Sequence, residues 1–176
     1  MPIDLPDDSQ LWTTPIPVPG TVIQGIETTV TCLPTSGAVL ISGDLTAAVD
    51  ALAPGAPMLG LLDQEPDGPF ALRIARDSAL LVTADPLEAT PGWHDGWALS
   101  LADDLHVCLA IEGPGSEDVR SACMSARQGS PSAAAIFGDK TCLVTRAGDA
   151  LHVRVPAPEA ATLWLWLARL IALPVS

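Results

Sequence analysis

The same series of elements is spelled twice in this chain, about 70 residues apart, and that limits its fold more than any single motif. Val39-Leu40-Ile41-Ser42-Gly43 and Leu109-Ala110-Ile111-Glu112-Gly113 are each followed by a helical pattern. Further on, Ala71 to Val82 aligns without a gap on Cys142 to Val153, at an offset of 71. Both of these longer runs read as strand, tight turn, strand. Two copies are too few for a solenoid, whose repeats must stack in greater number to bury a core. The expectation is one pseudo-symmetric domain.

Element by element, the first copy reads as strands over 28–33 and 38–42, split by Pro34-Thr35-Ser36-Gly37. A helix over 45–52 follows, with Asp44 as N-cap and Leu45, Val49 and Leu52 at core spacing. Met58 to Leu62 and the strand pair 70–74 and 79–84 complete it. The second copy gives strands over 97–101 and 106–112, then a helix opening near Gly115 or Ser116. Strands over 133–137, 141–146 and 151–155 come next, before a last helix from Pro158 to about Leu173. Strands outnumber helices and the loops are short, which favours an antiparallel α+β domain over a parallel βαβ sheet. The fold class expected is therefore α+β, with duplicated ββαβββ(α) units, a mostly antiparallel sheet, packed helices and a pseudo-twofold. Residues 1–27, rich in Pro and Gly with Trp12 as the one large anchor, read as an extended arm without regular elements. Residues 28–176 read as a single domain of two repeats, 28–90 and 95–173.

Charge and cysteine usage remove several function classes. The net charge of −13 arises from 21 acids against 8 bases. Such a chain repels a phosphate backbone and offers no basic stripe for counterion release, so neither nucleic acid nor an anionic membrane is an expected partner. Cys32, Cys108, Cys123 and Cys142 are widely spaced, with no C-x-x-C pair or histidine cluster, so neither a metal site nor a disulfide framework is expected. The first ten residues lack a basic n-region and an apolar h-region, and Leu163 to Val175 is too short to span a bilayer. A cytoplasmic location is the expectation.

No catalytic residue is assigned from the sequence. Gly92-Trp93-His94-Asp95-Gly96-Trp97 is its most unusual stretch, and Trp93, His94 and Trp97 are the candidate ligand-binding residues. Two readings stay open: a pocket for a flat ligand, or a turn whose tryptophans plug the edge of the core. Gly113-Pro114-Gly115-Ser116 is read as helix entry, because Glu112, Glu117 and Asp118 oppose anion binding there. Asp103-Asp104 is read as an ordinary solvated turn. From Leu163 to Leu173 only Arg169 is charged, so this helix is apolar nearly all round. Trp164 and Trp166 lie about 200° apart on it, so one packing contact cannot bury both. Trp12, Trp164, Trp166 and Leu170 are accordingly candidate interface residues.

The ordered series Ile111-Glu112-Gly113-Pro114, Lys140 to Arg146, Asp149, Leu151 to Val155 and Leu163-Trp164-Leu165-Trp166-Leu167 resembles folate-binding aminomethyltransferase-type domains. Within that superfamily the Leu-Trp-x-Trp-Leu ending is most similar to the gamma subunit of heterotetrameric sarcosine oxidase. The resemblance implies a duplicated ββαβββα fold and a non-catalytic role supporting a flavin-dependent oxidase of sarcosine or another N-methyl amino acid. It implies no cofactor in this chain, with FAD, FMN, NAD and tetrahydrofolate held by partner subunits. Partners would be larger oxidase subunits or further copies of the chain. The Asp-Asp pair of catalytic aminomethyltransferases is replaced by Lys140 and Thr141, and an Asn of theirs by Pro156. The segment 125–132 lacks the His-Pro loop usual in gamma subunits. Two alternatives stand beside this: a free-standing folate-dependent aminomethyl or methyl transferase using the Trp93–Trp97 region, and an oligomerising or adaptor domain of the same fold.

Overall fold

A computed structural model describes residues 17–172. In chain order the elements are β1 (Val22–Gln24), β2 (Thr29–Cys32), β3 (Gly37–Gly43), α1 (Leu45–Leu52), β4 (Met58–Leu59), β5 (Phe70–Ala75) and β6 (Ser78–Thr83). They continue with β7 (Gly92–His94), β8 (Trp97–Leu101), β9 (His106–Glu112), α2 (Ser116–Cys123), β10 (Ala134–Phe137), β11 (Lys140–Ala147), β12 (Ala150–Pro156) and α3 (Ala160–Ile171). The architecture is α+β with two mostly antiparallel sheets, where a single sheet was expected. Sheet I has the order β1-β2-β9-β12-β11-β10 and sheet II the order β4-β5-β6-β3-β8-β7.

The second sheet arises from an exchange that strand periodicity does not encode. The hairpin β1–β2 precedes β3 in the chain but pairs with β9, whereas β7–β8 precedes β9 but pairs with β3. Each sheet is thus completed by a hairpin from the other half. The expected arm is shorter than the sequence suggested, since Val22–Gln24 forms the edge strand β1 against β2. Gly92–His94, in the stretch read as either a ligand pocket or a turn, forms β7 at the edge of sheet II.

Period-two alternation divides the core into three parts. On β12, Leu151, Val153 and Val155 face α2 and α3 and join Leu163, Trp164 and Leu167 in the cluster outside sheet I. Outside sheet II, Val39, Ile41, Leu81 and Leu99 pack on Leu45, Ala48 and Val49 of α1. Between the sheets, Leu72, Leu80 and Val82 meet Leu143 of β11. The layer order is therefore helices, sheet, sheet, helix. α1 begins as expected, with the Asp44 carboxylate accepting from the Ala47 N–H at 3.1 Å.

The halves are also joined by two crossing segments. After β4 the chain leaves sheet II, and the N–H of Leu62 and that of Glu65 donate to the carbonyls of Val144 and Arg146 on β11, at 2.9 and 2.7 Å. In the other direction the Ala133 N–H donates to the carbonyl of Arg73 on β5, at 2.7 Å. The two segments touch at Gly60, where a Cβ would sit 2.2 Å from the carbonyl oxygen of Ser130. Only a residue without a side chain allows that approach. The apolar run 58–62, expected as one strand, is therefore a short strand plus a crossing.

Candidate functional site

The crossing carries Glu65 onto the inner face of sheet I, where alternation on β11 and β12 points Thr145, His152 and Arg154 away from the helices. Thr145 and His152 are directly opposite each other, and Arg154 faces Cys108 of β9. The four polar side chains converge. Arg154 Nη1 donates to Glu65 Oε1 at 2.6 Å and to the Thr145 hydroxyl oxygen at 3.1 Å. The Thr145 hydroxyl donates in turn to Glu65 Oε1, and His152 Nδ1 donates to Glu65 Oε2 at 2.9 Å. The guanidinium carbon lies 5.3 Å from the centroid of Phe70, whose ring face attracts the cation.

Arg154 is only 7% exposed and Thr145 is fully buried, so this is an ion pair inside the protein, not on its rim. Burial alone pushes the Glu65 carboxyl upward. The hydrogen bond from His152, those from Arg154 and Thr145, and the Arg154 charge outweigh it and hold the group at about 2. Burial pulls His106 below its usual value, with the nearby Arg154 charge adding to the effect. The Cys108 thiol is pushed up to about 11, mainly by burial, which keeps it protonated and a poor nucleophile.

The arrangement binds its own members to one another. Glu65 has both oxygens engaged, His152 is turned toward Glu65, and no nucleophile stands against a free base among these groups. Its evident work is mechanical: a carboxylate from the first half is locked into the sheet of the second. Among the described residues no group of three or more His, Cys, Asp or Glu side chains could hold a metal ion.

The residues singled out in the sequence are placed elsewhere. Trp93 lies on the edge strand β7 and is 74% exposed, so it neither plugs the core nor faces a cavity wall. Trp97 is buried against α1, and His94 stacks on it with ring centroids 4.3 Å apart while Nε2 donates to the Thr90 carbonyl at 3.0 Å. On α3, Trp164 is buried in the core outside sheet I, whereas Trp166 is 38% exposed and covers Gly138. Leu170 is partly buried beside that core, and Trp12 lies outside the described residues. Asp103 is not merely a solvated turn residue, because its carboxylate accepts from the Ala38 N–H at 2.7 Å. The Gly113–Ser116 entry to α2 is filled by the chain itself, with the Gly115 N–H donating to the Glu27 carbonyl at 3.0 Å.

Sequence reading missed the Glu65 cluster. Glu65 sits in a Pro/Gly/Asp loop that reads as solvated, and its partners lie 80 to 89 residues away. The available signal was Arg154, a charge at an inward position of an otherwise apolar strand, which demands a buried counter-ion.

Comparison with protein-family models gives no match, and no curated protein sequence matches the chain. Among solved structures, a chain of the heterotetrameric sarcosine oxidase from Corynebacterium sp. U-96, in complex with pyrrole 2-carboxylate, matches with a TM-score of 0.63 at 18% identity. The match covers 88% of this chain and 91% of that one, so the two are of similar length. The expected α+β class is observed, and this chain has the fold of a chain of heterotetrameric sarcosine oxidase.

Proposed function

We propose that this protein is a non-catalytic subunit of a flavin-dependent oxidase of an N-methyl amino acid such as sarcosine. The observation that carries the reading is the structural match to a chain of a heterotetrameric sarcosine oxidase, with most of both chains included. It is supported by the chemistry of the inter-sheet cluster, in which both Glu65 oxygens are engaged and no activated nucleophile stands among the groups. The replacement of an acidic pair by Lys140 and Thr141 supports it further. We read the two sheets as copies of one ββαβββ unit that have traded leading hairpins, a reading favoured by corresponding strand orders. The parallel β4–β5 pairing against the antiparallel β10–β11 pairing marks where the copies have diverged.

In this role flavins, nicotinamide and tetrahydrofolate belong to larger partner subunits. The outer face of α3, with Trp166 and half-buried Leu170, is the surface we assign to contact with them, since aromatic anchors dominate interface energies. The experiment is simple. Purified alone, the chain is expected to be colourless, to show no sarcosine-dependent oxygen uptake and to give no calorimetric signal with tetrahydrofolate. A visible flavin band or turnover in the isolated chain contradicts the proposal. Micromolar binding of tetrahydrofolate favours a free-standing folate-dependent transferase instead.

A further inference from the structure

Arg154 uses one edge of its guanidinium on Glu65 and Thr145, through Nη1. Its Nε and Nη2 have no hydrogen-bond partner among the described residues, although the side chain is almost wholly buried. On the same inner face of sheet I, His106 Nδ1 is buried and has no hydrogen-bond partner either. Both residues border one pocket of about 60 Å³, partly open to solvent and lined also by Ser36, Ala38, Asp103 and Cys108. At about 10–15 Å³ for each water-sized group, it holds roughly four to six such groups. The free Arg154 edge beside this small pocket calls for an acceptor, and His106 Nδ1, in the tautomer that carries its proton, would be a second donor to it.

We propose that this pocket is a binding site for a small monocarboxylate. The carboxylate oxygens would accept from the free Nε–H and Nη2–H edge of Arg154 in the planar fork that suits this pair, and from Nδ1–H of His106. The size admits a carboxylate with one to three further carbons and excludes a pterin, a flavin or a nucleotide. Charge limits it further. Asp103 borders the pocket and Glu65 already neutralises the inner edge of Arg154, so a single negative charge fits and a dianion is repelled. A second cavity of about 410 Å³, open to solvent, shares Leu33, Pro34, Ser36, Val82, Cys108 and Arg154 with the first and supplies a route in. The proposal stands independently of the subunit assignment, since it rests on the free edge of this chain's own Arg154.

The test uses the full chain and follows its histidine ring signals by NMR while acetate, propionate and benzoate are added at constant ionic strength, with chloride as control. The chain has only three histidines, so His106 is readily resolved from His94 and His152. Propionate is expected to shift the His106 signals saturably at millimolar concentration and to raise its titration midpoint, because an anion on Arg154 offsets the charge that adds to burial in holding it down. Benzoate, too large for the pocket, is expected to do neither. Ser36→Phe, which places a ring at the shared wall in a loop, is expected to weaken propionate by about tenfold while leaving the thermal midpoint near that of the parent. No saturable response to acetate or propionate means that the pocket holds water alone, and the proposal fails. An equal response to chloride overturns it too.

Discussion

Replacing Glu65 with Gln isolates the charge that locks the first half of the chain onto the second. The amide keeps the shape and retains an acceptor for Thr145, but leaves the Arg154 cation without its counter-ion in a buried position. The carboxyl is held at about 2, against an ordinary value of 4.5. At 1.36 kcal/mol per tenfold change in proton affinity, that difference corresponds to about 3 kcal/mol of folding stability at neutral pH. Removing one partner of a buried pair costs about 3–5 kcal/mol in general, so two routes give the same magnitude. Because the folded-state value is the depressed one, this stabilisation is complete above pH 4.5 and is lost as pH falls toward 2. The assay is urea denaturation followed by tryptophan fluorescence, for the parent and Glu65→Gln, at several pH values from 7 to 3. The stability gap is expected to be about 3 kcal/mol at pH 7 and to narrow steadily below pH 4.5. A gap under about 1 kcal/mol at pH 7, or one that does not change with pH, refutes the argument.

Gly60→Ala places a methyl group 2.2 Å from the Ser130 carbonyl oxygen, so it is expected to destabilise the fold by at least about 1–3 kcal/mol, read as a lower urea midpoint. Trp164→Ala is expected to cost about 3–5 kcal/mol, whereas Trp166→Ala should cost far less in the lone chain; equal losses would remove the case for Trp166 as a contact residue. Cys123 and Cys142, pushed up to about 12 chiefly by burial, and Cys108, at about 11, are expected to resist a thiol reagent at pH 8 until the chain is unfolded. Rapid labelling of the native protein would contradict the packing described.

The sequence made local elements legible wherever one chemistry dominated a short stretch. The Asp44 cap, the strand pair around Asp77 and the apolar last helix follow from residues next to one another. The Trp164–Trp166 argument also held for the same reason, since two residues on one helix cannot share a face. What escaped was set by contacts distant in sequence. The swap of the hairpins β1–β2 and β7–β8 between sheets leaves each strand's alternation unchanged, so periodicity is silent about it. Glu65 looked solvated because its neighbours Pro66, Asp67 and Gly68 are loop residues, and its burial depends wholly on β11 and β12. Trp93 and Trp97 looked equivalent in the sequence, yet the first lies on an edge strand and the second beneath α1.

The subunit assignment meets its most direct trial when the chain is co-expressed with the large flavin-binding subunits of a sarcosine oxidase and the product is weighed by native mass spectrometry. The account predicts a stoichiometric complex that oxidises an N-methyl amino acid, and its loss when Trp166→Glu puts a charge on the outer face of α3. Large subunits that assemble and turn over equally well without this chain would contradict it.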